Sequence, residues 1–289
     1  TGRQSETFRA IRTALYFGGQ YVGGPGSANQ ILQVTSAVPA EGKTTVAANL
    51  AVAMAQSGRS VLLLDADLRR SRVCQAMGLS ESKGVAWVID QARTNPGHMD
   101  LIASEAIYET EVDNLSVMPA GTRPENPSEL LSSAAFDQLL AFARGKFDMV
   151  IIDSPPMLAV SDPSTIATRV DAVLLVVRLK KNIKPATARA AQMLQSLDAN
   201  VAGVIVNGIG SRAARGYGKG GESQNGSDPR AGGYGFGFAY GGGADAKIDR
   251  TLATYYKKRP TTRGSQHHES DVVPASSDSR DRKVLTHRR

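Results

Sequence analysis

Ser36-Ala37-Val38-Pro39-Ala40-Glu41-Gly42-Lys43-Thr44-Thr45 holds a lysine between a glycine and two hydroxyl residues, directly after an apolar run. This is the pattern of a phosphate-binding loop that opens a helix. Backbone N–H groups and the helix N-terminus hold phosphate oxygens, the Lys43 ammonium neutralises the β- and γ-phosphates, and the Thr44 hydroxyl ligates Mg²⁺. Pro39, Ala40, Glu41, Gly42, Lys43, Thr44 and Thr45 are therefore the expected phosphate loop of a nucleoside triphosphate site. The strict signature begins with a glycine, and here that position is Ala37.

Two acidic clusters add to it. The run 61–64 ends in Asp65-Ala66-Asp67-Leu68-Arg69, and the run 149–152 ends in Asp153-Ser154-Pro155-Pro156. In a parallel sheet, ligands collect at the carboxyl ends of strands, where both clusters fall. Carboxylates beside a triphosphate hold Mg²⁺, directly or through water, and accept a proton from an attacking hydroxyl. Asp65, Asp67 and Asp153 are thus candidate catalytic residues with Lys43, and Thr44, Asp67 and Asp153 are candidate metal residues.

The elements that must position these groups alternate along residues 1–210. Apolar, β-branched runs at 31–35, 61–64, 149–152, 172–177 and 201–206 lack strict alternation, as strands buried on both faces do. Helical stretches are expected at 45–56, stopped by Gly58, at 134–143, stopped by Gly145, and at 186–197. Strand, helix and strand in repeated order predict an α/β fold, a doubly wound, mostly parallel sheet with helices on both faces. No apolar run reaches the roughly 20 residues of a membrane-spanning helix. The single cysteine, Cys74, rules out an internal disulfide scaffold and favours a reducing compartment. The opening at Thr1 rather than methionine suggests a piece cut from a longer protein.

The formal net charge of +7 is unevenly placed. Residues 1–210 hold 19 basic and 19 acidic side chains, whereas 211–289 hold 15 and 8. Of the 29 glycines, 14 fall within 208–243. Such a stretch buries too little apolar surface to offset the entropy of ordering it. The expectation is a globular domain over 1–210 and a mostly disordered tail over 211–289. Five of the eight tyrosines lie in that tail: Tyr217, Tyr234, Tyr240, Tyr255 and Tyr256. Two patterns there fit by spelling alone. Gly235-Phe236-Gly237-Phe238 resembles part of an RNA-recognition signature that fails at Ala239 and Gly241, and Gly216-x-Gly218-x-x-Gly221 has no helix to open. His267-His268 lacks further metal ligands nearby. No nucleic-acid partner is expected.

With these motifs in place, the chain resembles the bacterial protein-tyrosine kinases of capsule and exopolysaccharide synthesis. The resemblance spans nearly all of residues 3–210. It rests on the phosphate loop, on Leu64-Asp65-Ala66-Asp67-Leu68-Arg69, on Ile152-Asp153-Ser154-Pro155-Pro156, on Pro119-Ala120-Gly121 with Asn126-Pro127-Ser128-Glu129-Leu130-Leu131, and on Glu6-x-x-Arg9-x-x-Arg12 in a first helix within 1–20. It implies ATP and Mg²⁺ as cofactors, Asp65 as the carboxylate that activates the substrate tyrosine, and Asn207 as the reader of adenine. Glu6, Arg9 and Arg12 match a motif through which such kinases form rings, presenting each tail to a neighbour's active site; their spacing places all three on one helical face. The tail tyrosines match the autophosphorylation cluster. The resemblance further implies a membrane chain-length regulator, fused upstream or separate, a phosphotyrosine phosphatase, and a place on the cytoplasmic side of the inner membrane. Two departures stand out: Arg70-Ser71 follows the second motif where a proline is usual, and Ala40 replaces a frequent glycine.

Two other functions share this fold class. A switch ATPase of the partition or division-site kind usually carries an extra lysine early in the loop, where this chain has Val38. A nonenzymatic interaction module stabilised by nucleotide is the third, and fold analogy does not separate them.

Overall fold

The computed structural model describes residues 2–17, 30–80, 82–179 and 183–208. Tyr217, Tyr234, Tyr240, Tyr255 and Tyr256, the two glycine patterns and His267-His268 lie outside the described residues.

Among the described residues, sixteen elements follow in the order α1 (Gly2–Phe17), β1 (Gln30–Ser36), α2 (Lys43–Ala55), β2 (Val61–Asp65), α3 (Val73–Met77), α4 (Val85–Thr94), α5 (Met99–Ser104), β3 (Tyr108–Glu109), β4 (Leu115–Met118), α6 (Pro127–Leu131), α7 (Ala134–Lys146), β5 (Met149–Asp153), α8 (Asp162–Ala167), β6 (Ala172–Arg178), α9 (Lys184–Ser196) and β7 (Val201–Asn207). The strands form one sheet in the order β3-β4-β2-β5-β1-β6-β7. Every pairing is parallel except β3 with β4. β1 lies between β5 and β6, so the chain winds outward from it in both directions. The carboxyl end of β1 is therefore the switch point at which such sheets hold ligands.

The apolar runs are continuous because both faces are covered. Leu32, Val34, Leu63, Ile151 and Leu174 pack with α1 and α2 on one face. Ile31, Leu62, Leu64, Val150 and Ile152 pack with α4 and α7 on the other, while Val173 and Leu175 meet α9. α2 is rich in alanine, with Ala47, Ala48, Ala51, Ala53 and Ala55 all buried, which lets the helix lie close to the strands that carry the site.

All five expected strands are present, and β3 and β4 extend the sheet beyond them. The stop at Gly58 holds: its φ is 90° and its N–H donates to Ala55 O at 2.9 Å. The stop expected at Gly145 is corrected. That residue lies inside the last turn of α7, which runs to Lys146 and ends at an extended Phe147. Pro119-Ala120-Gly121 has a packing reason. Val85 and Ala86 donate their N–H groups to Pro119 O and Ala120 O, at 2.8 and 3.1 Å, fixing the start of α4. A Cβ on Gly84 would lie 2.1 Å from Pro119 O, so this close approach requires glycine.

Candidate active site

The loop from β1 to α2 is shaped by its own short-range bonds. Ser36 Oγ donates to Val38 O at 2.9 Å, and Ala40 takes φ 63°, a left-handed conformation where a glycine is more usual. Gly42 takes φ 92° and precedes the first turn of α2. This φ favours glycine, and a Cβ there would lie 2.3 Å from Asn207 Nδ2 and displace that side chain. The Glu41 side chain is fully buried. Its Oε2 accepts the Val38 N–H at 2.9 Å and its Oε1 the Arg178 N–H at 3.2 Å.

Lys43 and Thr44, on the first turn of α2, meet the acidic ends of β2 and β5. Lys43 Nζ lies 2.9 Å from Asp67 Oδ2 and 4.0 Å from Asp153 Oδ1. The Thr44 hydroxyl donates to Asp153 Oδ2 at 2.6 Å. Asp65 and Asp153 are register partners across the β2–β5 pair, both fully buried. Two carboxylates so placed do not both ionise freely. Burial first, then the charge of Asp153, push Asp65 up to about 7, against hydrogen bonds from Ser71 and the Asp67 N–H. Burial also raises Asp153, with Lys43 and Thr44 pulling it back. Burial by itself lowers the Lys43 ammonium, but the charges of Asp153, Asp67 and Asp65, with the hydrogen bond to Asp67, hold it above its ordinary value.

The Arg70-Ser71 departure builds an ordered turn. Asp65 Oδ1 accepts the Asp67 N–H at 3.0 Å; its Oδ2 accepts the Ser71 hydroxyl at 2.6 Å and the Val73 N–H at 3.3 Å. Asp67 Oδ1 accepts the Arg70 N–H at 3.0 Å. Asp65 is thus committed to its own loop and to the start of α3, while Asp67 retains slight exposure. Arg69 turns away from the phosphate loop. Its Nε donates to the buried Asp162 at 2.8 Å, its Nη2 donates to Ser128 Oγ at 2.8 Å, and Ser128 Oγ donates to Asp162 Oδ1 at 2.5 Å. The guanidinium therefore ties the acidic loop to the first turns of α6 and α8.

The structure thus gathers Glu41, Gly42, Lys43, Thr44, Asp65, Asp67, Asp153 and Asn207 at one end of the sheet. Asn207 ends β7 and donates Nδ2 to Glu41 O at 3.0 Å. Glu6, Arg9 and Arg12 are elsewhere, on α1. Glu6 and Arg9 form an exposed pair at 3.4 Å, whereas Arg12 donates to Ala53 O of α2 at 2.8 Å. Ser71, Ser128 and Asp162 escape sequence reasoning as site residues, since serines and an acid before a proline read as turns; the signal for Ser71 is its place directly after the acidic motif.

Asp153 Oδ1 is buried with no hydrogen-bond partner among the described residues, beside the Thr44 hydroxyl. No group of three or more His, Cys, Asp and Glu stands in metal-holding geometry among the described residues. The set fits an ion that takes one or two protein oxygens and its remaining ligands from phosphate and water, as Mg²⁺ does. No helix of the described residues is long and apolar enough to cross a membrane.

Comparison with known proteins bears on the family of the chain. An AAA domain family model matches residues 33–199. The tyrosine-protein kinase YwqD of Bacillus subtilis is 36% identical over 204 residues, covering 71% of this chain and 81% of that protein. The tyrosine-protein kinase etk of Escherichia coli is 36% identical over 212 residues, which are 73% of this chain but 27% of the relative. Among solved structures, the kinase domain of Escherichia coli tyrosine kinase ETK superposes with a TM-score of 0.64 at 35% identity, over 72% of this chain and 77% of that one. The septum site-determining protein MinD of Pyrococcus horikoshii, complexed with Mg-ADP, gives a TM-score of 0.52 at 23% identity, over 64% of this chain and 73% of that one, a likeness of fold alone. The chain belongs to the bacterial tyrosine-protein kinase family, on a P-loop nucleotide-binding fold.

Proposed function

We propose that this chain is an ATP-dependent protein-tyrosine autokinase acting on its own C-terminal tyrosines, Tyr217, Tyr234, Tyr240, Tyr255 and Tyr256, in the control of exopolysaccharide or capsule synthesis and export. One observation carries the reading: a lysine, a threonine and three buried carboxylates converge where β1, β2 and β5 end, with one carboxylate oxygen of Asp153 facing Lys43 at 4.0 Å but accepting no hydrogen bond among the described residues. Lys43 would meet the β- and γ-phosphates and spread the charge of transfer, once released from Asp67. Thr44 and Asp153 would hold Mg²⁺, with Asp67 beside them. When bound, the ion neutralises phosphate charge and orients the γ-phosphoryl group. The attacking phenol then needs a proton acceptor; the family resemblance points to Asp65, whose raised pKa suits a base near neutral pH. Its oxygens also hold the Asp67 loop in place, so it has a second, organising role.

Asn207 is placed to accept from an adenine base, the base that the family resemblance implies. Glu41 O, an acceptor, requires the carboxamide to face it with Nδ2. That leaves Oδ1 as the group to accept an exocyclic amino proton, which adenine offers at N6. The wider reading follows the same family: assembly in rings with phosphorylation in trans through Glu6, Arg9 and Arg12, a membrane chain-length regulator, a phosphotyrosine phosphatase, and work at the cytoplasmic face of the inner membrane. The domain division at residue 210 belongs to this proposal, with the tail as substrate. Each phosphate added there would reduce its excess of positive charge.

The test is phosphotyrosine formation by the purified chain with ATP and Mg²⁺. Wild type is expected to label itself on the tail. Lys43→Met is expected to fall by at least about 100-fold, and truncation after residue 210 to remove the signal. ATP hydrolysis without phosphotyrosine would instead identify a switch ATPase.

A further inference from the structure

A carboxylate in the middle of a phosphate loop is electrostatically misplaced if it faces the phosphates. Glu41, two residues before Lys43, faces the other way. Its side chain has no exposure, and both oxygens accept backbone N–H groups: Oε2 from Val38 at 2.9 Å, within the loop, and Oε1 from Arg178 at 3.2 Å, at the end of β6. Its main-chain carbonyl accepts Nδ2 of Asn207 at 3.0 Å, at the end of β7. Arg178 and Asn207 are register partners, so one residue grips the last rung of the β6–β7 ladder twice. The Arg178 guanidinium approaches Ala40 O at 3.4 Å on the same side. The left-handed turns at Ala40 and Gly42 lie on either side of Glu41 and orient it.

We propose that Glu41 is a positioning residue whose inward carboxylate presets the phosphate loop and locks it to the ends of β6 and β7. This rests on the reading of the loop as the ATP site. It assigns Glu41 a role distinct from phosphate contact by its side chain. The loop's shape is carried by the protein's own bonds, so nucleotide binding spends little of its free energy on ordering the backbone. The same grip fixes which way the Asn207 carboxamide faces, coupling the phosphate end of the site to the base end.

The experiment compares the full chain as wild type, Glu41→Gln and Glu41→Asp. Glutamine keeps the size but offers one acceptor oxygen to two N–H donors, and its amide group opposes the other donor. Aspartate keeps the charge but is one methylene too short to span both. For both variants, Mg·ADP affinity measured by calorimetry is expected to fall about 10- to 100-fold. The Val38 and Arg178 amides should exchange with deuterium at least about 10-fold faster than in wild type. If autophosphorylation is active, KM for ATP should rise with that loss while kcat at saturating ATP stays within about threefold. ADP binding within twofold of wild type in both variants, or unchanged protection of the two amides, overturns the proposal. If glutamine prevents folding, Glu41→Asp decides by the same readouts. Because ADP binding is read rather than phosphoryl transfer, a wild type that binds ADP yet makes no phosphotyrosine overturns the kinase reading, while the affinity ratio still judges Glu41.

Discussion

The phosphate end of the sheet and the outer face of α1 both gather charged residues, yet the two differ in what their charges cost. At the sheet end, Lys43, Asp67 and Asp153 lie almost wholly out of water and hold one another in place. On α1 the pair of Arg9 and Glu6 has side chains 54% and 72% exposed. Buried charges are expensive unless paired, so each member of the first set constrains the rest. Exposed pairs gain little, so the second set is free to exchange partners at small cost. A charge cluster that is costly to keep suits chemistry; one that is cheap to break suits assembly.

The comparison can be broken first at Asp153. Asp153→Asn preserves shape and removes a charge that burial already opposes. Autophosphorylation at saturating ATP is expected to fall by about 100-fold or more. Thermal stability should change little, because Lys43 keeps its 2.9 Å pair with Asp67 while the repulsion between Asp153 and Asp65 is removed. A parallel loss of stability and activity would show Asp153 to be a structural member of the core. Next is Arg69→Ala, which removes the guanidinium from the fully buried Asp162 and leaves the Ser128 hydroxyl as its side-chain donor. The expected cost is about 2 to 3 kcal/mol in urea unfolding. The double variant with Asp162→Ala should cost less than the sum of the two single changes.

These residues also mark how far the sequence could be read. β1, β2, β5, β6 and β7 were legible because each is built mainly of apolar, β-branched or leucine residues, and the first three end in groups that do chemistry. β4, at four residues, and β3, at two, offer too little pattern to separate from loop, and the same holds for the five- and six-residue helices α3, α5, α6 and α8. The phosphate loop and its three carboxylates were legible because their types and order carry a mechanism. The inward turn of Glu41 was not, since it depends on N–H groups supplied by Val38 and by Arg178, 137 residues away. The partner of Arg69 was likewise illegible, since Asp162 lies 93 residues on. Gly145 misled because a glycine near a helix end is a common stop, yet nothing at α7 required a left-handed turn.

The α1 motif splits the comparison within itself, and the smaller predictions follow that split. Phe8, Ile11 and Leu15 bury the inner face of α1 in the cluster that includes Leu50 and Met54 of α2. Arg12 adds a charged hydrogen bond to Ala53 O across the same seam. Arg12→Ala is therefore expected to cost the isolated domain about 1 kcal/mol, read as a lower urea midpoint. Glu6→Ala and Arg9→Ala should each cost less than about 0.5 kcal/mol, since their pair is exposed to solvent at both ends. Their effect should appear in assembly. If Glu6 and Arg9 are the outward half of a ring contact, light scattering of either variant will give the mass of one chain where wild type gives several, with unfolding hardly moved. Phosphotyrosine formation should then become more dependent on protein concentration, because a tail presented in trans must find its neighbour by diffusion. Unchanged mass in both variants, with dissociation in Arg12→Ala alone, would place the contact on the inner half of the motif and make its exposed pair an ordinary solvated one.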